Sequence, residues 1–195
     1  MYEVLKQVLL SYEPLIDEEW EVISDRFAYR QIYKSDFYLR QGQTCRKIGL
    51  VVKGFLRTFH LDESGNELTT HFAHDHSFVL SFYSFRNQAP SFESIQATED
   101  SHVLEMDFLD LQHLFEVLPK WSSLYRKIIE EAYACMEQRN YILQSQSAGK
   151  RYQLLIEQAH PQLLYKAQLG HIASYLGITQ ETLSRIRKKS STSII

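Results

Sequence analysis

Four residues near the end of the chain, Gln180, Glu181, Ser184 and Arg185, are spaced to share one face of a helix whose other face carries Leu183 and Ile186. An arginine can donate two hydrogen bonds to guanine O6 and N7. A glutamate can accept from cytosine N4, and a serine hydroxyl can reach a base or a phosphate. Such a face can read base edges in double-stranded DNA. Thr179, Thr182, Arg187, Lys188 and Lys189 flank it. They suit contacts to the phosphate backbone, which position a protein without specifying sequence.

The residues just upstream could hold that helix in place. The stretch LGHIASYLGITQETLSRIRKK, residues 169–189, has small Ala173 where two helices would cross closely and Gly177 four places later at the turn. A turn there needs a positive φ, which glycine adopts without strain. Ile172, Leu176, Ile178, Leu183 and Ile186 supply apolar contacts, and Thr179 is a suitable N-cap. The pattern reads as a DNA-binding helix-turn-helix. A helical hairpin used only for packing is the plainer alternative.

Charge is divided along the 195 residues. The formal net charge is -3, yet residues 148–195 hold seven basic against two acidic side chains, for +5, leaving -8 on residues 1–147. A basic tail on an acidic body points to an anionic partner. With 44% hydrophobic and 23% charged residues, and only 7 Gly, 4 Pro and 2 Cys, the chain is neither disordered, collagen-like nor a disulfide scaffold. Cys45 and Cys135 lie far apart with no CxxC, which fits a reducing compartment. No signal peptide and no membrane-spanning apolar run are visible, so a cytoplasmic location without membrane contact is expected.

The elements that must position the tail come before it. Val4, Leu5, Val8 and Leu9 predict one helix, and a second is expected after an Asp17 cap, through Trp20 and Ile23. From Phe27 to Met106 short β-rich runs alternate with turn residues, including a hairpin around Ser64-Gly65-Asn66. That succession predicts an antiparallel barrel or jelly roll. Residues 108–117 return to helical spacing. Pro119 then opens a stretch free of Gly and further Pro to about Gln146. Within it Trp121, Leu124, Ile128, Cys135 and Ile142 fall on a heptad seam that also includes polar Glu131 and Gln138. The expectation is a parallel homodimer through this helix, against the alternative of a helix buried in one subunit. Gly149 is expected to end or kink it. The domains so read are a roll over 1–118, the dimerisation helix over 119–147 and the helix-turn-helix over 148–195.

A β-roll, a long helix and a C-terminal helix-turn-helix together resemble the Crp/Fnr transcription regulators across nearly the whole chain, as an α+β fold. Glu181, Ser184 and Arg185 look like the E-x-x-S-R pattern of the Fnr-type branch, in which these side chains read half of a palindrome. The resemblance implies the same roles here, and implies RNA polymerase as a partner. Two departures stand out. Where cyclic-AMP-binding members carry Gly-Glu and then Arg-Ser, this chain has Leu80-Ser81 and Ser91-Phe92. An anionic phosphate buried without its cation is costly to desolvate, and Arg86 falls at the wrong point of the motif. Cyclic AMP binding is therefore not expected. The region of Leu80, Ser81, Phe82, Tyr83, Arg86, Ser91 and Phe92 is expected to be filled by Phe82, Tyr83, Phe85 and Phe92, to stay empty, or to be retuned for a more apolar small-molecule effector. After Lys189 only Ser190–Ile195 remain, so the family's wing is expected to be truncated or absent. The N-terminal cysteine cluster of the oxygen-sensing branch is not in the sequence.

His71, His74 and His76 form H-x-x-H-x-H at a predicted strand end. They offer a rival reading as a cupin-like metal-binding jelly-roll protein or enzyme, since imidazoles suit iron, zinc or nickel. No later Glu and His complete that set, and a polar strand end is the preferred reading. No nucleophile elbow, HExxH or phosphate-cradling glycine loop is present, so no catalysis, cofactor or metal is expected.

Overall fold

A computed structural model describes the chain from Met1 to Thr192; residues 193–195, the last of the expected wing position, lie outside it. Helices α1 (Tyr2–Tyr12) and α2 (Asp17–Ser24) precede strands β1 (Ala28–Ile32), β2 (Phe37–Leu39), β3 (Lys47–Lys53), β4 (Leu56–Leu61), β5 (Glu67–Ala73) and β6 (Phe78–Val79). Helix α3 (Phe82–Asn87) then interrupts the strands before β7 (Ser94–Ala97) and β8 (Ser101–Asp107). Helices α4 (Phe108–Val117), α5 (Pro119–Ser145), α6 (Ala148–Gln158), α7 (Pro161–Lys166), α8 (Leu169–Tyr175) and α9 (Gln180–Thr192) complete the order. The described strands form two four-stranded antiparallel sheets, ordered β1-β8-β3-β6 and β2-β7-β4-β5. This is the expected jelly roll.

Alternation along β4 and β5 gives the second sheet two buried faces. Leu56 and its cross-strand partner Ala73 point into the roll, where they join Leu50, Ile95 and Leu104. Arg57 and its partner Phe72 point the other way. There Phe72 and Phe55 meet Leu155, Leu163, Ile172, Leu176 and Leu183 of the C-terminal helices in a second core. The Phe55 and Phe72 rings stack with centroids 5.4 Å apart, and Tyr175 tilts onto Phe72 at 5.4 Å. Polar contacts fix the register. Ser174 Oγ accepts from Thr69 N at 2.8 Å and donates to Glu67 O at 3.0 Å. Arg57 is 2% exposed, and its buried charge is paired with the Glu67 carboxylate and lies 4.1 Å over the Phe59 ring. Pairing of this kind is what allows an arginine to be buried at all.

Helix α5 is 27 residues, about 40 Å at 1.5 Å per residue. Its seam divides differently from the sequence expectation. Trp121, Leu124 and Ile128 are buried in the chain's own core beside Leu111, Leu114 and Leu118, so they cannot face a partner. The physical reason is that α4 and α1 pack against this end of α5 and claim its apolar face. From Glu131 to Gln138, Cys135 included, every residue is exposed; Ile142 is half-buried.

Two smaller expectations are corrected. Gly149 does not end α5: the helix stops at Ser145, Gln146 is extended, and Ser147 caps α6 by accepting from Lys150 N, leaving Gly149 inside α6. Asp17 is the first residue of α2 rather than its cap; Glu19 reaches back to the Ile16 N–H at 3.0 Å, and Asp17 pairs with Lys6.

Replacing Phe72 by Ala should cost about 3–5 kcal/mol, because the void opens between two packed layers. Urea unfolding should show that loss, whereas Leu61→Ala on the exposed hairpin should stay within about 0.5 kcal/mol of the parent.

Candidate nucleic-acid interface

The turn between α8 and α9 is built as its residue types require. Gly177 has φ 64°, the left-handed region that glycine tolerates. Around it Leu176 N and Ile178 N both bond to Ala173 O, at 3.1 and 3.0 Å, closing α8 tightly. Thr179 caps α9: its Oγ1 accepts from Thr182 N at 3.2 Å, and its carbonyl takes the Leu183 N–H. Ala173 is 2% exposed at the helix crossing and Leu183 1%, so α9 is pinned by its inward face.

With Leu183 inside, helical geometry turns Gln180, Glu181, Ser184 and Arg185 outward, and all four are exposed. Thr179, Arg187, Lys188 and Lys189 are exposed around them, and Thr182 is half-buried. Glu181 has its pKa lowered by its own backbone N–H and the Thr179 hydroxyl, with Arg185 adding to the effect, so it stands ionised as an acceptor. Acidic Glu181 and basic Arg185 are one turn apart, and the Arg185 Nε lies 3.5 Å from Glu181 O. The face thus offers a carboxylate, a hydroxyl, an amide and a guanidinium side by side.

One basic residue of the tail has another task, which its charge did not reveal. Arg151 Nη1 donates to Leu176 O at 2.7 Å and its Nε to Gln146 O at 2.9 Å. It ties the turn to the end of α5, and a Cβ on Gly177 would stand 3.1 Å from its Nη1. Arg139 on α5 acts likewise, donating to Thr69 O at 3.3 Å and Tyr175 O at 3.1 Å. Neither role is legible from spacing, since each joins segments distant in sequence.

A model of the cyclic nucleotide-binding domain matches residues 29–117. Over 167 residues the chain is 26% identical to the transcriptional activator protein Anr of Pseudomonas protegens, covering 80% of this chain and 68% of that one. FixK2 from Bradyrhizobium japonicum superimposes with a TM-score of 0.71 at 17% identity, over 86% of this chain and 85% of that one. A crp/fnr-family chain from Eubacterium rectale gives 0.68 at 17% identity, over 94% and 88%. The chain is similar to regulators of the Crp/Fnr family, and its residues 29–117 match a cyclic nucleotide-binding domain.

At the place of the cyclic-nucleotide cassette, of the three outcomes left open by the sequence, filling by all four aromatics is not what the roll shows. Phe82, Tyr83 and Phe92 are exposed on the outside of the roll, with Tyr83 and Phe92 in contact at 5.7 Å. Helix α3 has under two turns and sends Ser84 and Phe85 inward, which leaves positions 82, 83 and 86 facing out. Phe85 alone of the four aromatics is in the core, edge-on to Phe108. Arg86 is exposed, and Leu80 packs at the core's margin. Ser81 and Ser91 are buried, their hydroxyls 3.0 Å apart. Beside them burial raises the Glu93 pKa, against hydrogen bonds from Ser81 and Thr70 and the nearby His60. A carboxyl next to two hydroxyls is the wrong chemistry for a cyclic phosphate.

The histidine rival also disperses. His71 is exposed on β5, where desolvation by neighbouring protein, then His74 and Arg139, lower its pKa; His76 is exposed with φ 69°; and His74 stacks on His160 instead of converging with either. Together with the family matches, this sets the cupin-like alternative aside.

Gly177→Ala should lower stability by about 1–2 kcal/mol, the cost of a left-handed non-glycine residue, before any displacement of Arg151 is added. Thermal or urea unfolding would measure it, with Gly149→Ala, in open space within α6, neutral or slightly stabilising by comparison.

Proposed function

We propose that the protein is a transcription regulator that binds double-stranded DNA as a homodimer, α9 of each protomer entering a major groove of a palindromic operator. The observation that carries the reading is the outward display of Gln180, Glu181, Ser184 and Arg185 on a helix pinned from behind by Leu183. Those four are the proposed base readers, and Thr179, Thr182, Arg187, Lys188 and Lys189 the proposed backbone contacts. Two-fold symmetry then sets half-sites about one helical turn apart.

Dimerisation is proposed through the exposed middle of α5. Tyr133, Met136 and Tyr141 are 60%, 57% and 63% exposed there, more apolar surface than a lone helix retains in water without reason. Cys135 and Ile142 lie along the same stretch, while Trp121, Leu124 and Ile128 serve the roll. The working domains are residues 1–118, 119–147 and 148–195, with α5 the only element able to pass a change from one to the other through a partner. RNA polymerase is the proposed downstream partner, by analogy with the relatives' role as activators. The roll is proposed to take no cyclic AMP; any small-molecule effector it senses would have to suit the Ser81–Ser91–Glu93 set. No helix among the described residues is long and apolar enough to cross a membrane, which agrees with a cytoplasmic regulator.

Selection of bound fragments from a random DNA pool should return a palindrome. On that site Arg185→Ala should cost about 1–3 kcal/mol and relax discrimination at one base pair. Lys189→Ala should weaken all sequences alike and flatten the salt dependence. Equal losses for Arg185→Ala on the selected site and on random DNA would overturn its role. For the dimer, Tyr133→Glu with Met136→Glu should shift sedimentation toward the monomer.

A further inference from the structure

Two histidines meet across the boundary between the roll and the C-terminal helices. His74, in the loop after β5, and His160, just before α7, lie ring on ring, their centroids 3.9 Å apart and their planes 10° from parallel. Hydrogen bonds assign the protons. His74 Nδ1 is 2.9 Å from Asp75 O, and a carbonyl only accepts, so that nitrogen carries hydrogen. His160 Nδ1 accepts from Gln162 N at 3.4 Å as the cap of α7, so it is bare and the ring neutral. Next to the stack, Asp75 N donates to Gln162 Oε1 at 3.1 Å and Gln162 Nε2 donates to Asp75 Oδ2 at 2.6 Å. Ring lone pairs lie in the ring planes, so two parallel imidazoles cannot aim at one metal ion. The ligand this pair can take is a proton.

We propose that the His74–His160 stack is a proton-operated latch that holds the C-terminal helices on the roll, closed at neutral pH and released as pH falls below about 6.5. Protonating His160 at Nδ1 removes the acceptor that caps α7. Protonating His74 sets a cation face to face with the other ring. His160 and His76 resist that cation directly; His71 on β5 also faces it, Arg139 on α5 lies against His71, and Lys166 on α7 faces Asp75. Asp75 and Glu99 oppose them, but each is already engaged, Asp75 with Gly54 N and Gln162, and Glu99 with Lys166. Burial first, then His160 and His76, lower the His74 pKa in the docked state, outweighing the bond to Asp75 O and the Asp75 charge, which raise it. The docked state therefore binds fewer protons than the open one. Its support is complete above the ring's ordinary value and is lost as pH falls through the lowered one. His74, once released, takes up one proton, and nothing else is exchanged.

The test is amide hydrogen exchange on the full chain at pH 7.5 and 5.5, corrected for intrinsic rates. Thr69 N and Asp75 N report docking, because both donate across the boundary. Leu104 N and Glu105 N, in the strand between β1 and β3, report the fold itself. At pH 5.5 the two docking amides should lose protection by up to about tenfold, the ceiling for one ring whose ordinary value is near 6.5, while the β8 amides keep theirs. The double variant His74→Phe, His160→Asn keeps an aromatic face and a capping acceptor but no titrating ring, and should lose that pH response. His76→Gln, outside the stack, removes only the smallest of the contributions and should retain most of it. Unchanged protection in the parent, the same fall in the double variant, or abolition by His76→Gln would each overturn the latch. No DNA enters the measurement, so its outcome is separate from that of the DNA-binding reading.

Discussion

The β4–β5 ribbon is buried on both faces, and the rest of the molecule follows from that. A sheet that closes a roll normally turns its outer side to water. Here Phe55, Arg57 and Phe72 occupy that outer side, two of them apolar and the third a charge. None can be left against solvent-free protein without a matching surface. The C-terminal helices supply one: Ile172, Leu176 and Leu183 for the rings, Ser174 for the backbone of Thr69 and Glu67. The direction in which α9 faces is thus set less by the turn at Gly177 than by the strand pair on which α8 rests.

Helix α5 carries a second constraint that the first one sharpens. Its N-terminal third is anchored in the roll's core through Trp121, Leu124 and Ile128, and its C-terminal third touches the head through Arg139 and through Leu143, which approaches Gly177. Only the middle is uncovered. A helix fixed at both ends and bare between them leaves a partner little choice of where to sit. Any partner bound there also lies between the two bodies that the helix joins. Repacking at that site would change the strain on both anchors, the sort of bistable contact through which packed helices transmit shifts.

How far the sequence could be read follows the distance over which each feature is decided. The turn at Gly177, the cap at Thr179, the buried Leu183 and the outward Arg185 are settled within a few residues, and local pattern exposes them. The roll is legible because strand alternation and turn residues are local too. What escaped depends on segments far apart in the chain. Ser174 and Thr69, or Arg151 and Leu176, announce nothing in either neighbourhood. The heptad seam of α5 was regular in sequence, yet period alone cannot say whether an apolar stripe meets a partner or its own domain; α1 and α4 decided that for the first three members. Composition at 82–92 left filling by the aromatics open for the same reason; the short helix α3 turns Phe82 and Tyr83 outward, and Phe92 beyond it is exposed as well.

The charge asymmetry also reads differently once placed in space. Of the tail's cations, Arg151 is spent on the turn and Lys166 on Glu99, so the +5 of residues 148–195 overstates what the tail can offer an anion. Of the other five, Lys150 is on α6 and Arg185, Arg187, Lys188 and Lys189 are on α9. The acidic body opposes approach to a polyanion over long range, but at physiological salt charges more than about 8 Å from the contact are largely screened. What remains is a short-range attraction concentrated on one helix. A surface of that kind binds arbitrary duplex weakly and gains most when its base-reading groups find partners. On the proposed DNA-binding reading, discrimination would rest on Glu181, Ser184 and Arg185 more heavily than it would on a uniformly basic protein.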